Sequence, residues 1–119
     1  MTLLEAMNRG SQSGSTCTRQ ELLFWLSTLE AMVYEQILAR HGGAEEFRPL
    51  SEGEPDRLLL VPSPYDEMYL RYLEAQIHYR NGEFTRYNNA ISLFNAIFEA
   101  YAAHYTRSHM PLSAGRFHF

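Results

Sequence analysis

The longest helical pattern in this chain runs through residues 81–108, NGEFTRYNNAISLFNAIFEAYAAHYTRS. Within it, apolar and aromatic residues recur at alternating steps of four and three: Tyr87, Ile91, Phe94, Phe98, Tyr101 and Tyr105. This heptad spacing places one apolar stripe along a helix predicted at about residues 83–108. Asn81 and Gly82 leave only a short break before it, so this helix and the preceding one are predicted to form an antiparallel hairpin.

The preceding helix is predicted at about residues 64–81. Ser63 is suited to the N-cap and Pro64 to the first helical position, and Asp66 and Glu67 favour the positive end of the helix dipole. The predicted inward face consists of Tyr65, Tyr69, Tyr72, Leu73, Gln76 and Ile77.

Two further helices are predicted in the N-terminal part. Thr2 and Glu5 have the spacing of a capping box, which predicts a helix at about residues 2–9 with Gly10 as its stop. Thr18 and Glu21 repeat the same signal and predict a helix at about residues 19–41. Its apolar stripe is Leu22, Leu26, Leu29, Val33 and Ile37, widened by Trp25 and Met32.

The connection between the two helical halves, residues 43–62, is acidic and rich in helix breakers. Its acidic residues are Glu45, Glu46, Glu52, Glu54 and Asp56, which are predicted to form a solvated surface. It closes with Leu58, Leu59, Leu60 and Val61, an apolar run too short for a helix and followed by Pro62 and Pro64. We interpret this run as an extended segment, and a strand with no partner in its own chain is free to pair with a neighbouring subunit.

The last ten residues, 110–119, are interpreted as a C-terminal arm, because Pro111 and Gly115 do not permit a continued helix. Its apolar residues Leu112, Phe117 and Phe119 are costly to leave in water. Either they fold back on their own core or stay disordered, or the arm docks on a partner. The predicted fold is therefore all-α: a small four-helix bundle in residues 1–109, with a long acidic loop, a short extended segment and this arm.

Composition limits the classes of function that fit. The chain has 119 residues, 45% of them hydrophobic, and a net charge of −4, which is the profile of one ordinary folded domain. No basic stripe points to general nucleic-acid binding. The single cysteine, Cys17, cannot form an internal disulfide. We expect neither a signal peptide nor a membrane-spanning helix, and we expect synthesis in a reducing cytoplasm.

All ten basic residues are arginine, and 13% of the residues are aromatic. Arginine and tyrosine are frequent in subunit contacts, and Arg71 and Arg86 are predicted contact residues together with Leu58–Val61. Codon bias in a GC-rich genome explains the arginine equally well.

No catalytic constellation is visible in the sequence. It lacks the nucleophile-elbow, phosphate-loop, zinc-protease and paired-cysteine motifs. His104 and His109 are five residues apart, a poor helical spacing for a shared metal. A helix-turn-helix is disfavoured because the last helix carries only Arg86 and Arg107 as fixed positive charges. We expect no enzyme activity, no metal and no cofactor.

Several of these stretches together resemble a known family. They are LLLVPSPYDEMY at 58–69, Tyr72-Leu73-x-Ala75-Gln76-Ile77, Tyr79-x-Asn81-Gly82-Glu83, Arg86-Tyr87-Asn88-Asn89 and His109-Met110-Pro111. In this order, behind a capped Trp-containing helix and an acidic loop, the chain resembles the head–tail connector (adaptor) proteins of long-tailed bacteriophages and prophages. The resemblance covers residues 18–111, and its motifs are packing motifs.

The resemblance implies a virion protein of the neck, assembled in the host cytoplasm. It implies a homo-oligomeric ring of about twelve copies below the portal protein, through which DNA passes without being read. The partners implied are the portal and a tail-side neck or stopper protein, with no membrane. The implied portal-docking residues are Met110, Pro111, Leu112, Arg116, Phe117 and Phe119. The acidic loop is expected to face the lumen or the tail, where negative walls repel phosphate.

A second function stays open on the sequence alone. A small cytoplasmic helical binding or regulatory module, acting as a dimer, has the same absence of catalytic motifs and the same aromatic helices. The two hypotheses differ in oligomeric state and in response to a portal protein.

Overall fold

A computed structural model describes residues 1–13, 17–41, 46–51 and 53–109 of the chain. In these ranges it contains four α-helices and no strand, which confirms the all-α prediction. The helices are α1 (Leu3–Ser13), α2 (Arg19–Gln36), α3 (Glu67–Arg80) and α4 (Phe84–Ser108), and a short 3-10 turn (Leu38–Arg40) follows α2. The most extensive helix contact joins α3 and α4, while α1 and α2 pack on α3 and on each other.

Both predicted capping boxes are confirmed. The Thr18 hydroxyl accepts a hydrogen bond from the Glu21 amide, and the Glu21 carboxylate accepts one from the Thr18 amide, each at 3.1 Å. Thr2 and Glu5 exchange the same pair of bonds at 3.2 and 3.3 Å. Each box satisfies amide groups that have no partner within the first helical turn.

The prediction that Gly10 ends the first helix was wrong. Helix α1 continues to Ser13, and Gly10 is buried within it. A Cβ at this position would lie 2.6 Å from Leu73 Cδ1 and 3.4 Å from Leu22 Cδ2. Gly10 is therefore the point where α1 approaches α3 closely, and its lack of a side chain serves packing rather than termination.

Two other predicted boundaries differ from the structure. The regular part of α2 ends at Gln36, because Ile37 leaves helical geometry (φ −121°) before the 3-10 turn. Helix α3 begins at Glu67, three residues after the predicted start at Pro64. Asp66 occupies the N-cap position without a side-chain capping bond, and its carboxylate lies 3.5 Å from the amino group of Met1. The predicted stop at Gly42 and Gly43 lies outside the described residues.

The predicted stripe of α4 does face the core. Phe94, Tyr101 and Tyr105 are buried, and Ile91 and Phe98 pack partly buried against them. Aromatic pairs join the hairpin along its length, with ring centroids 5.4 Å apart for Tyr72–Phe94, 5.2 Å for Tyr79–Tyr87 and 5.5 Å for Tyr65–Tyr101. Pairs at these separations add to the area that the rings bury.

The segment Arg19–Arg40 is long and apolar enough to cross a bilayer by length and composition, with a mean hydropathy of 1.2. This departs from the expectation that no segment would qualify. In the structure its residues Leu22, Leu26, Leu29 and Val33 lie in the core of the fold. A buried core helix passes the same test of length and composition.

Candidate functional site

A buried carboxylate lies at the centre of the fold. Glu30, on α2, is 1% exposed. Its Oε1 accepts a hydrogen bond from the Tyr69 hydroxyl at 2.5 Å, and its Oε2 accepts one from the Leu60 amide at 3.0 Å. The Tyr69 oxygen in turn accepts a hydrogen bond from the Val61 amide at 2.9 Å. We call these four residues, Glu30, Leu60, Val61 and Tyr69, the Glu30 clip.

The clip attaches the extended segment to two helices at once. Leu60 is held by a carboxylate on α2, and Val61 by a phenol on α3. Both amides are thereby satisfied away from water, which removes the penalty that an unpaired buried amide carries. The segment is consequently part of the core, with Leu59 and Val61 both buried.

Burial sets the electrostatics of the clip. Desolvation raises the pKa of Glu30, opposed by the bonds from Tyr69 and Leu60 and by the positive charge of Arg57. Desolvation and the neighbouring Glu30 carboxylate raise the pKa of Tyr69 well above its usual value. Removing water from the pair thus favours the neutral form of each group.

The prediction that the extended segment lacks a partner in its own chain was wrong. Leu58 forms an isolated antiparallel bridge with Thr2. The Leu3 amide donates to the Arg57 carbonyl at 2.9 Å, and the Leu59 amide donates to the Met1 carbonyl at 3.1 Å. The first residues of the chain therefore cover one edge of the segment, a pairing between positions too distant in sequence for any local signal to reveal.

The predicted subunit-contact residues have different surroundings. Leu58 is 72% exposed, whereas Leu59 and Val61 are buried and Leu60 is partly buried. Arg71 pairs with Glu74 at 2.9 Å, and Arg86 pairs with Glu83 at 3.4 Å. Within the segment, Leu58 is thus the residue that offers apolar surface to a neighbour.

The acidic loop is organised by arginine, which the sequence interpretation missed. Arg57 donates to the carbonyls of Pro49 and Arg48, and Glu54 pairs with Arg48 at 2.7 Å. Glu46 and Asp56 are exposed, as predicted for a solvated surface. Glu45 and Glu52 lie outside the described residues. So does the whole predicted arm, including Met110, Pro111, Leu112, Arg116, Phe117 and Phe119.

Helix α4 has a second stripe, on the side away from α3. It consists of residues that are all exposed: Asn89, Leu93, Ala96, Ala100 and Ala103. Their steps of four, three, four and three match the period of the buried stripe, so they share one face of the helix. We call this set the outer stripe. Leu93 is 50% exposed, and Phe24 on α2 is 66% exposed on a different helix.

The histidines of the C-terminal end form an aromatic stack. The ring of His109 stacks on Tyr105 with centroids 3.7 Å apart, and His41 meets the same tyrosine edge-on at 5.0 Å. The Nδ1 atom of His41 lies 2.7 Å from the Ile37 carbonyl. Among the residues that the structure describes, no group of three or more His, Cys, Asp or Glu side chains could hold a metal ion.

Sequence reasoning missed Glu30, although a signal was present. Glu30 follows Leu26 by four residues and precedes Val33 by three, so it falls on the apolar stripe of α2. A carboxylate on such a stripe is either a break in the pattern or a buried acid with a partner. The partner, Tyr69, is 39 residues away and is a second residue on a predicted inward face.

No family model, curated protein or solved structure matches this chain.

Proposed function

We propose that this chain is a structural subunit of a phage head–tail connector: a small helical bundle that assembles into a ring between portal and tail, through which DNA passes. The family resemblance of residues 18–111 supports this proposal. The observation that carries it in the structure is the outer stripe, a regular exposed face of small and apolar residues along the longest helix. Such a face suits close packing of a helix or loop from another subunit.

A ring requires two different patches on each subunit, because its contacts run head to tail. The outer stripe on α4 supplies one patch. Phe24, exposed on α2, supplies the other, with Leu58 as a further exposed apolar residue. We propose that the outer stripe of one subunit packs against the Phe24 side of the next, and that the remaining arginines and exposed acidic residues lie at the rim of this contact.

The arm and the acidic loop have roles within the same proposal. The arm from Met110 onward begins where α4 ends, so the helix that carries the outer stripe also leads into the portal-docking residues. Glu46 and Asp56, exposed in the loop, face the lumen or the tail-side neck protein. A negative wall allows the duplex to slide without binding.

Mass photometry of the purified full chain, alone and mixed with the portal protein encoded in the same genome, tests the proposal. The expected result is a ring-sized assembly or a portal complex carrying many copies of the chain. A stable dimer or monomer that ignores the portal contradicts it, and a dimer favours the regulatory module instead.

The two-patch contact has a sharper test. Leu93→Glu blocks one patch and Phe24→Glu blocks the other, so each variant alone fails to form the ring. Mixed in equal amounts, the two variants retain one complementary pair of patches and form a heterodimer that cannot grow. Thr106→Glu, at an exposed position of α4 outside the outer stripe, is the matched control and still assembles. Failure of the mixture to pair contradicts this contact.

A further inference from the structure

We propose that the Glu30 clip is a proton-linked latch: its closed form takes up a proton more readily than its open form, so acid tightens the docking of the Leu58–Val61 segment and rising pH loosens it. The latch is a property of the single chain and holds whether or not the chain forms a ring.

The geometry of the clip is the first reason. The Glu30 carboxylate is enclosed by the fold, and the hydrogen bonds it accepts come from the Tyr69 hydroxyl and the Leu60 amide, both neutral groups. No guanidinium forms a hydrogen bond to it in the described residues. Arg57, the nearest source of positive charge, directs its guanidinium at the carbonyls of Arg48 and Pro49. Neutral donors compensate a buried charge less fully than water does.

Each element packed around the clip contributes its own groups. Helix α3 presents Tyr69, the loop presents Arg57, and α4 presents Tyr101, whose pKa is itself raised in part by Glu30. On α1 the charged side chains are at the surface, with Glu5 capping Thr2 and Arg9 paired with Glu67. The Met1 amino group pairs with Asp66. Among the influences on Glu30, burial is the largest, and it raises the pKa.

Opening the latch has a defined structural consequence. The segment that leaves α2 and α3 carries Leu59 and Val61 out of the core, and Leu58 is exposed already. The bond from the Leu59 amide to the Met1 carbonyl links the N-terminus to the same movement. Because the open carboxylate is solvated and titrates near its ordinary value of 4.5, opening releases a proton at any pH between the two pKa values.

Nuclear magnetic resonance of the full chain tests the latch in two linked measurements. The carboxyl carbon of Glu30 gives its pKa in the closed state. Hydrogen exchange of the Leu60 and Val61 amides, corrected for the intrinsic rate at each pH, gives the population of the open state. The protection of both amides is expected to fall as pH rises through the measured pKa. The total fall is about tenfold for each unit by which that pKa exceeds 4.5.

Two variants sharpen the result. Glu35→Gln changes an exposed carboxylate on the same helix and keeps the full pH dependence. Glu30→Gln removes it. If that variant fails to fold, the two measurements on the unaltered chain still decide the matter. A Glu30 pKa at or below 4.5, or amide protection that is constant or rises with pH, overturns the latch.

Discussion

The Tyr69 hydroxyl donates a hydrogen bond to Glu30 Oε1 at 2.5 Å, across 39 residues of sequence. This single contact joins α2 to α3, and through the second acceptor oxygen of each partner it also holds the backbone at Leu60 and Val61. A carboxylate suits this position because it accepts two bonds and donates none, whereas an amide presents a donor to one of the two partners.

Glu30→Gln is therefore expected to destabilise the fold by about 2 kcal/mol, since one buried donor loses its acceptor. Tyr69→Phe leaves one acceptor of Glu30 and the Val61 amide unpaired, and we expect a loss of about 2 kcal/mol as well. Because the two side chains share one network, the double variant is expected to cost less than the sum of the single variants. Urea unfolding followed by circular dichroism measures all three.

Glu35→Gln, at an exposed position of α2, is the control for this cycle and is expected to stay within about 0.5 kcal/mol. Strictly additive losses for Glu30→Gln and Tyr69→Phe contradict the clip as one cooperative unit.

The clip also shows what sequence reasoning reaches and what it does not. The capping boxes at Thr2 and Thr18 act within four residues, so their spacing alone predicted them. The period of the α4 stripe predicted which of its faces is buried. The role of Gly10 depends on Leu73, and the burial of Glu30 depends on Tyr69. Both depend on how α3 is placed against α1 and α2, which no local pattern contains.

Alkaline pH is expected to unfold the chain, because several tyrosines titrate late. Burial raises the pKa of Tyr101 to about 12, and it also raises the pKa of Tyr72, Tyr105 and, most strongly, Tyr69. A raised pKa in the folded state gives stability that is complete below the unfolded value of 10 and is lost as pH rises through the folded values. Urea midpoints measured from pH 8 upward are expected to fall above about pH 10.

Tyr101→Phe is expected to make that fall shallower, because one ionising group leaves the buried set. Tyr34→Phe, outside this set of four, is the comparison and is expected to keep the original slope. A urea midpoint that stays constant between about pH 10 and 12 contradicts the prediction.

Gly10→Val is expected to destabilise the chain by about 2 kcal/mol, since its Cβ and methyl groups meet the buried Leu73 and Leu22 side chains. Gly53→Ala is the control, because a Cβ there has only Ser51 Oγ nearby, at 3.7 Å. Thermal unfolding of both variants measures the difference. If Gly10→Val is as stable as the original chain, α1 does not depend on the close approach to α3 that the structure places there.

Deletion of residues 112–119 tests the arm within the proposed connector. The deletion removes Leu112, Phe117 and Phe119, which the proposal assigns to the portal. Binding to the portal is therefore expected to fall by at least tenfold, about 1.4 kcal/mol, while the thermal midpoint stays the same. Arg116→Ala, which keeps the apolar residues, is expected to lose less binding than Phe117→Ala. A lowered thermal midpoint with portal binding retained would instead mean that these residues pack on the chain's own core, since burial of apolar surface would then contribute to folding rather than to docking.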